Sequence, residues 1–336
     1  MNGYRILIIT DHRKHTAENG VYPIGRALHH HPGFTQVDIV TRSHAAHADF
    51  FEKHLPGPLQ ATPVKHDFSF YPDGRDLSQN LRPVALTDYD VVWLRLPPPF
   101  PEKLAAMLTT CYPQQLFINH PAGILRTGSK DFLLDFPALC PPMQLCQTLE
   151  DIIQFKARFA IVLKPLRAYG GQGVVRIDGD QVSSEGKNLS FAQFARQYQA
   201  DPQPYLGVKF LKNVSMGDKR IVVFDGHIMG AALRIPAPGS WLCNVAQGGN
   251  SIIAEVDADE EAIIAALQPT LAQMGVVMYG IDTLVGDDNK RVLSEINATS
   301  IGGLQQMAQQ NGQPLVEQAV EILWQYIDRK LKNITC

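Results

Sequence analysis

The sequence predicts an α/β (α+β) fold, and three observations carry that expectation. Apolar runs of strand length alternate with stretches of helix length, the pattern of mixed layered architectures. Two late runs, Tyr279-Gly280-Ile281-Asp282 and Val292-Leu293-Ser294-Glu295-Ile296-Asn297, flank the turn-forming Gly286-Asp287-Asp288-Asn289 and read as an antiparallel hairpin. At 336 residues the chain exceeds one hydrophobic core, so two or three domains are expected.

The N-terminal block, residues 1–123, holds the buried-strand candidates Ile6–Ile9, Val91–Leu94 and Leu116–Ile118. Pro97-Pro98-Pro99 must leave the sheet, because proline offers no ladder donor. Residues 41–87, rich in His, Pro, Asp and Ser, show no clear period and are expected to be an irregular insertion. His29-His30-His31 reads as a solvated helix end.

A second block, residues 124–205, contains helix-like Leu149–Phe159, strand-like Ile161–Leu163 and Val174–Ile177, and helix-like Ser190–Tyr198. The third, residues 206–336, has strands at Val208–Leu211, Arg220–Phe224 and Ile228–Ile235, with Asp225-Gly226 as a hairpin turn between the last two. A helix around 258–274, kinked or interrupted near Pro269, follows. The hairpin comes next, then a final helix whose Leu315, Val316, Ala319, Val320, Leu323, Tyr326 and Ile327 keep helical spacing for docking.

Bulk properties narrow the function. With 30 basic and 33 acidic residues the net charge is −3, which argues against a partner bound by neutralising nucleic-acid phosphates. No apolar run reaches the length of a membrane span, and the N-terminus lacks a signal-peptide core, so a cytoplasmic protein without a membrane partner is expected. The 5 cysteines (111, 140, 146, 243, 336) form no CxxC pair, which disfavours structural zinc and a disulfide framework. Reduced, mostly buried thiols are expected, with Cys243 set apart by its glycine-bearing neighbourhood.

The hairpin carries the first chemical signal. Glu295 and Asn297, spaced i, i+2, share a strand face, and Asp282 can meet them across the ladder. Two carboxylates and an amide oxygen suit a hard cation such as Mg²⁺, which usually accompanies nucleotide phosphates. Lys164-Pro165-Leu166-Arg167-Ala168-Tyr169-Gly170-Gly171-Gln172-Gly173 lies between two strands, where glycines let backbone N–H groups curl toward phosphate and Lys164 adds charge. It is neither a Walker A loop nor a Rossmann fingerprint, and a plain turn remains open for it. Arg220 and Arg234 fall on successive antiparallel strands. The apolar surroundings of Arg234 favour an anionic partner. Asn244-Val245-Ala246-Gln247-Gly248-Gly249 is another glycine-bearing loop.

In this order the segments Lys164–Gly173, Gly217–Gly226, Arg234-Ile235-Pro236, Asn244–Gly249, Gly280–Asp282 and Ser294–Ser300 resemble the ATP-grasp superfamily, specifically bacterial glutathione synthetase. The strand ending at Arg95, with its Pro98-Pro99-Phe100 tail, is similar to that family's N-terminal domain. The resemblance implies an ATP-grasp fold behind a parallel α/β domain, and an ADP-forming ligase that joins a carboxylate to an amine through an acyl phosphate, with a non-catalytic ATP-binding protein of the same fold as the alternative. Lys130 and Lys164 then match the nucleotide lysines, and Gly170, Gly171 and Gly173 the phosphate-covering loop. Val208, Lys209, Phe210 and Leu211 match the adenine-side hinge. Asp282, Glu295 and Asn297 match the Mg²⁺ ligands, with Mn²⁺ as an alternative ion. Arg234, assisted by Arg220, matches the arginine on the transferred phosphoryl group. Arg95, Asn244, Gly249, Asn250 and Ser300 are the implied substrate contacts. Small-molecule carboxylate and amine substrates follow, and self-association is expected by analogy alone.

The substrate half departs from the family. Patterns like Thr-Arg-Gly-Asn and Gly-Gly-Arg-Gly correspond here to Trp241-Leu242-Cys243-Asn244 and Gly248-Gly249-Asn250-Ser251, so two arginines give way to Leu242 and Asn250. After Asn297, Thr299-Ser300-Ile301-Gly302-Gly303 replaces the family's Thr-Ser-Pro. Each lost charged hydrogen bond would cost about 1.5–3 kcal/mol, so the substrates can differ from γ-glutamylcysteine and glycine. Arg26, Arg95 and Arg126 are the arginines available to compensate.

Overall fold

Alternating hydrophobic runs and capped helices build three sheets in this computed structural model, which describes residues 3–184, 186–237, 241 and 250–334 (backbone only at 250, 311 and 334). The N-terminal region runs β1 (Tyr4–Thr10), α1 (Val21–His30), β2 (Phe34–Thr41), α2 (Ala48–Phe51), β3 (Leu59–Pro63), β4 (Arg82–Val84), β5 (Val91–Leu94), α3 (Glu102–Cys111), β6 (Leu116–Ile118) and α4 (Pro121–Thr127). Its sheet has the order β4-β3-β2-β1-β5-β6. Strands β2, β1, β5 and β6 are parallel, whereas β3 and β4 add antiparallel pairs at one edge.

Those two edge strands correct the expectation for residues 41–87. The segment is not irregular throughout: besides two strands it holds α2, and Phe50, Phe51, Leu59 and Leu77 are buried. Strands of five and three residues are too short to show a period. Of the histidine triplet, His29 and His30 are exposed at the end of α1, while His31 pairs with Glu321 at 3.0 Å.

The second sheet contains β7 (Met143–Cys146), β8 (Ile161–Pro165), β9 (Val175–Asp178), β10 (Gln181–Ser184), β11 (Lys187–Ser190) and β12 (Tyr205–Lys209) in the order β11-β10-β9-β8-β12-β7. Helices α5 (Leu149–Lys156) and α6 (Phe191–Ala200) cover it, each opened by a capping box, from Thr148 and Ser190 respectively. The third sheet is β15-β14-β13-β16-β17, from β13 (Asp218–Phe224), β14 (His227–Ile235), β15 (Asn250–Ala254), β16 (Met278–Val285) and β17 (Arg291–Asn297). Asp225 and Gly226 both take positive φ in the two-residue turn between β13 and β14.

Helix α7 (Ala258–Gln273) passes through Pro269 without interruption. Its buried Glu260 caps the helix and also accepts from Lys219 and Thr283, each at 2.6 Å. After β17 come α8 (Leu304–Asn311) and α9 (Leu315–Ile334). Helix α9 does more than dock on its own domain. Its apolar face joins one core with α1, α8 and the end of β13, so it fastens the N-terminal sheet to the third sheet. Tyr4 donates to Asp328 at 2.9 Å along that seam. No helix among the described residues is long and apolar enough to cross a membrane. Of the cysteines described, Cys146 is buried, Cys140 half-buried and Cys111 exposed, and all three are free.

Candidate active site

The late hairpin forms as its spacing predicts. Asp282 of β16 lies directly opposite Glu295 of β17, and Asn297 opposite Gly280. A bulge breaks the register after Asp282, so that Thr283 meets Leu293 and Ser294 becomes the extra residue. The displaced Ser294 then receives Lys164, whose Nζ lies 3.2 Å from Ser294 Oγ and 3.4 Å from its carbonyl.

Four charged groups occupy one face of three adjacent strands. Asp218 is the register partner of Arg234, and Arg220 of Asp282. Arg220 holds Asp282 through Nε and, at 2.8 Å, through Nη2. Arg234 reaches Asp218 at 2.5 Å and Asp282 at 3.0 Å. Burial opposes the charge on Asp282, but Arg220 and then Arg234 outweigh it and hold the carboxyl below its ordinary range. Asp218 moves the other way: burial and the neighbouring Asp282 charge push it up more than Arg234 pulls it down.

Beside this face opens a cleft of about 970 Å³, its mouth included, between the second and third sheets. Pro141, Val162, Val208, Leu211 and Leu284 form its apolar part, and Lys130, Lys164, Asp282, Ser294 and Glu295 its polar end. Lys130 Nζ stands 3.4 Å from Glu295 and donates to the Ala168 carbonyl at 2.5 Å. Burial pushes Lys164 below the ordinary lysine value, while Glu295 pulls it back up. Gly170, Gly171 and Gly173 take φ of 65°, 79° and 65°, a region that favours glycine, and the first two line the cleft. Lys209 and Phe210 also line the cleft. The first is paired with Asp287 at 2.6 Å, and the second lies under Arg176, 3.9 Å from the ring centre.

Of the residues expected at the substrate end, Arg95 and Ser300 are described with their side chains. Arg95, 4% exposed, follows β5 in the N-terminal region, and its Nη2 donates to the Ile301 carbonyl at 3.3 Å. Ser300, with φ of 44°, bends the same segment. Asn244 and Gly249 lie outside the described residues, as do Leu242 and Cys243, and Asn250 is described only as the β15 partner of Ile235. Asp218, Ser294, Val162, Leu284 and Trp241 line the cleft without having been singled out. Of these, Asp218 alone carried a signal, its place beside Gly217 and two residues before Arg220.

The donor set fits a divalent cation that arrives with phosphate. Two carboxylates face each other across a ladder, and each carboxylate offers about four lone-pair sites, enough to share with arginine and metal. Asn297 keeps a buried Nδ2 without a hydrogen-bond partner, a donor that suits a phosphate oxygen and not the cation itself. Among the described residues no three His, Cys, Asp or Glu side chains form a metal cage by themselves, so a cation here would draw further ligands from other oxygens, such as Asn297, phosphate or water.

Residues 129–312 match the family described as prokaryotic glutathione synthetase, ATP-grasp domain. The chain is 33% identical over 253 residues to a glutathione synthetase of Rhodopseudomonas palustris, covering 74% of this chain and 75% of that protein. For the glutathione synthetase of Bradyrhizobium diazoefficiens the identity is 31%, covering 73% and 75%. Among solved structures it resembles the D-cycloserine synthetase DcsG (TM-score 0.65, 14% identity, 96% and 99% covered). The D-alanine–D-alanine ligase of Coxiella burnetii is also similar (TM-score 0.61, 12% identity, 100% and 98% covered). Fold and relatives together define an ATP-dependent carboxylate–amine ligase with the ATP-grasp fold, which uses ATP and a divalent metal and acts on small molecules. Within that class the chain belongs to the prokaryotic glutathione synthetase family.

Proposed function

We propose that the cleft binds Mg²⁺-ATP, with Mn²⁺ able to substitute, and that the enzyme activates a carboxylate as an acyl phosphate before an amine attacks it. The observation that carries this reading is the convergence of Lys130, Lys164, Asp282 and Glu295 at the polar end of a cleft whose other end is apolar. In this assignment the adenine packs between Val162, Val208 and Leu284, where the backbone of Val208–Leu211 offers it hydrogen-bonding groups. Lys164 and Lys130 bind phosphate oxygens, and Gly170, Gly171 and Gly173 bring backbone N–H groups onto them. Asp282, Glu295 and Asn297 would hold the metal, which when bound offsets phosphate charge during transfer.

The chemistry balances without a further reagent. A carboxylate oxygen of the substrate attacks the terminal phosphorus of ATP and ADP leaves. The amine then attacks the acyl carbon, and phosphate departs with the oxygen that linked it. In this reading Arg234, assisted by Arg220, neutralises the phosphoryl group and the tetrahedral oxyanion, a role supported by its 3.0 Å contact with the cleft-lining Asp282. The glycine loop excludes water that would otherwise hydrolyse the acyl phosphate.

The carboxylate substrate differs from γ-glutamylcysteine in this proposal. Of the three arginines available to replace the lost pair, Arg126 is paired with Asp131 and Asp135, and Arg26 donates to the Phe68 carbonyl at 2.6 Å. Arg95 alone is buried with no carboxylate partner among the described residues. One substrate carboxylate on Arg95 would complete it. Asn244, Gly249, Asn250 and Ser300 remain the other proposed substrate contacts. The reading keeps a cytoplasmic homo-oligomer without a nucleic-acid partner, in line with the near-balanced charge.

A screen for ADP release across amino-acid and dipeptide pairs tests the reading. The expected result is amine-dependent release with a pair other than γ-glutamylcysteine and glycine. Turnover confined to that pair would make the enzyme a glutathione synthetase, and amine-dependent release with no pair would overturn the ligase mechanism.

A further inference from the structure

Asn119 directly follows β6 of the N-terminal sheet, yet its side chain is spent entirely at the start of β16 and just past the end of β17. Its Oδ1 accepts from Val277 N at 2.7 Å and Met278 N at 2.8 Å. Its Nδ2 donates to the Met278 carbonyl at 2.6 Å and the Ala298 carbonyl at 2.8 Å. The residue is 2% exposed, so all four bonds form away from water. The two acceptors and two donors of the environment leave one amide orientation that satisfies both ends.

The place of these bonds gives them consequence. The β16–β17 ladder ends at the Gly280–Asn297 pair. Just past that pair, the Asn119 amide joins the Met278 carbonyl to the Ala298 carbonyl. Ala298 directly follows Asn297, and Met278 lies four residues before Asp282. Arg95 holds the same outgoing segment further on, at the Ile301 carbonyl. The backbone carrying two of the three proposed metal ligands is therefore fixed from outside its own sheet.

We propose that Asn119 is a positioning residue that sets Asn297 and Glu295 against Asp282 and so tunes the affinity for the divalent cation, an inference that rests on the metal assignment above. Outer partners of this kind cost metal affinity when removed, typically about 10–100-fold, because ligands must meet the ion in a narrow geometry.

The test measures Mn²⁺ binding by electron paramagnetic resonance on the full chain with a non-hydrolysable ATP analogue, alongside the thermal midpoint and kcat at saturating metal. Asn119→Ala is expected to weaken Mn²⁺ by about tenfold or more while kcat at saturating metal stays within about threefold. Leu104→Ala, a buried change in α3 with no bond to β16 or β17, is the control for general destabilisation. It should lower the midpoint and leave Mn²⁺ affinity within about twofold. Asn119→Asp, which keeps the acceptor oxygen but presents a second oxygen to the Met278 and Ala298 carbonyls, should weaken Mn²⁺ in the same direction and serves if the alanine variant does not fold. Unchanged Mn²⁺ affinity in the Asn119 variants, or an equal loss in Leu104→Ala, overturns the positioning role. Failure of the wild type to bind Mn²⁺ with the nucleotide would instead overturn the metal assignment itself.

Discussion

Arg234 stands 3.0 Å from Asp282, so the proposed phosphoryl-binding arginine and a proposed metal ligand form one electrostatic unit. Its second partner, Asp218, lies 2.5 Å away on the same strand face. Together with Arg220, which also holds Asp282, it balances two buried carboxylates before any substrate enters, and its orientation is fixed in advance of the reaction. Removing it should damage chemistry more than nucleotide binding. Arg234→Ala is expected to lower kcat by about 10²–10³-fold. The ATP-analogue affinity, measured by calorimetry at saturating metal, should change far less. Leaving two buried acids with one arginine should also cost about 3 kcal/mol of stability in denaturant unfolding.

Glu295 faces Asp282 across the ladder and has Lys130 at 3.4 Å. Glu295→Gln preserves shape and removes one negative charge. The metal concentration for half-maximal rate should rise about tenfold or more, the worth of a charged interaction of roughly 1.5–3 kcal/mol. A metal titration of the steady-state rate checks this, and an unaltered midpoint would remove Glu295 from the metal site.

Lys164 is held by two bonds to Ser294, and burial lowers its pKa. A lysine whose folded value is depressed destabilises the fold at neutral pH, and that penalty fades as pH rises through the folded pKa toward the ordinary 10.5. Lys164→Met should therefore leave the thermal midpoint unchanged or higher while raising KM for ATP about tenfold or more. Calorimetric unfolding with steady-state kinetics on the same preparation separates the two effects.

Asp11, at the end of β1, accepts from Arg13 and Arg42. Burial opposes its ionisation, but the two arginines prevail and hold it down to about 2. Its contribution to stability is present above the ordinary value of 3.8 and is lost as pH falls from there toward 2. Asp11→Asn should be less stable than the wild type at neutral pH, and the difference should shrink across that acid window in urea unfolding followed at successive pH values.

Much of the site was legible because its residues cluster in short, directional motifs. The i, i+2 spacing of Glu295 and Asn297 and the turn at Gly286–Asn289 fixed the hairpin, and the Asp282–Glu295 register followed. The glycine loop after Lys164 was equally local. Other parts depend on partners far along the chain. Strands β10 and β11 are mostly polar, with Val182 as their one buried hydrophobic residue, so no apolar run announced them. Val162 and Leu284 read as ordinary core, and nothing local indicated that they wall a cleft between two sheets. Asn119 looks like a loop asparagine until Val277, Met278 and Ala298 are brought to it.

The most direct test of the acyl-phosphate account follows the oxygen. With both oxygens of the carboxylate substrate labelled with ¹⁸O, each turnover with an amine that supports ADP release should leave one label in the product amide. The other should pass into inorganic phosphate, as read by mass spectrometry. Phosphate free of label, or label in AMP, would contradict the mechanism.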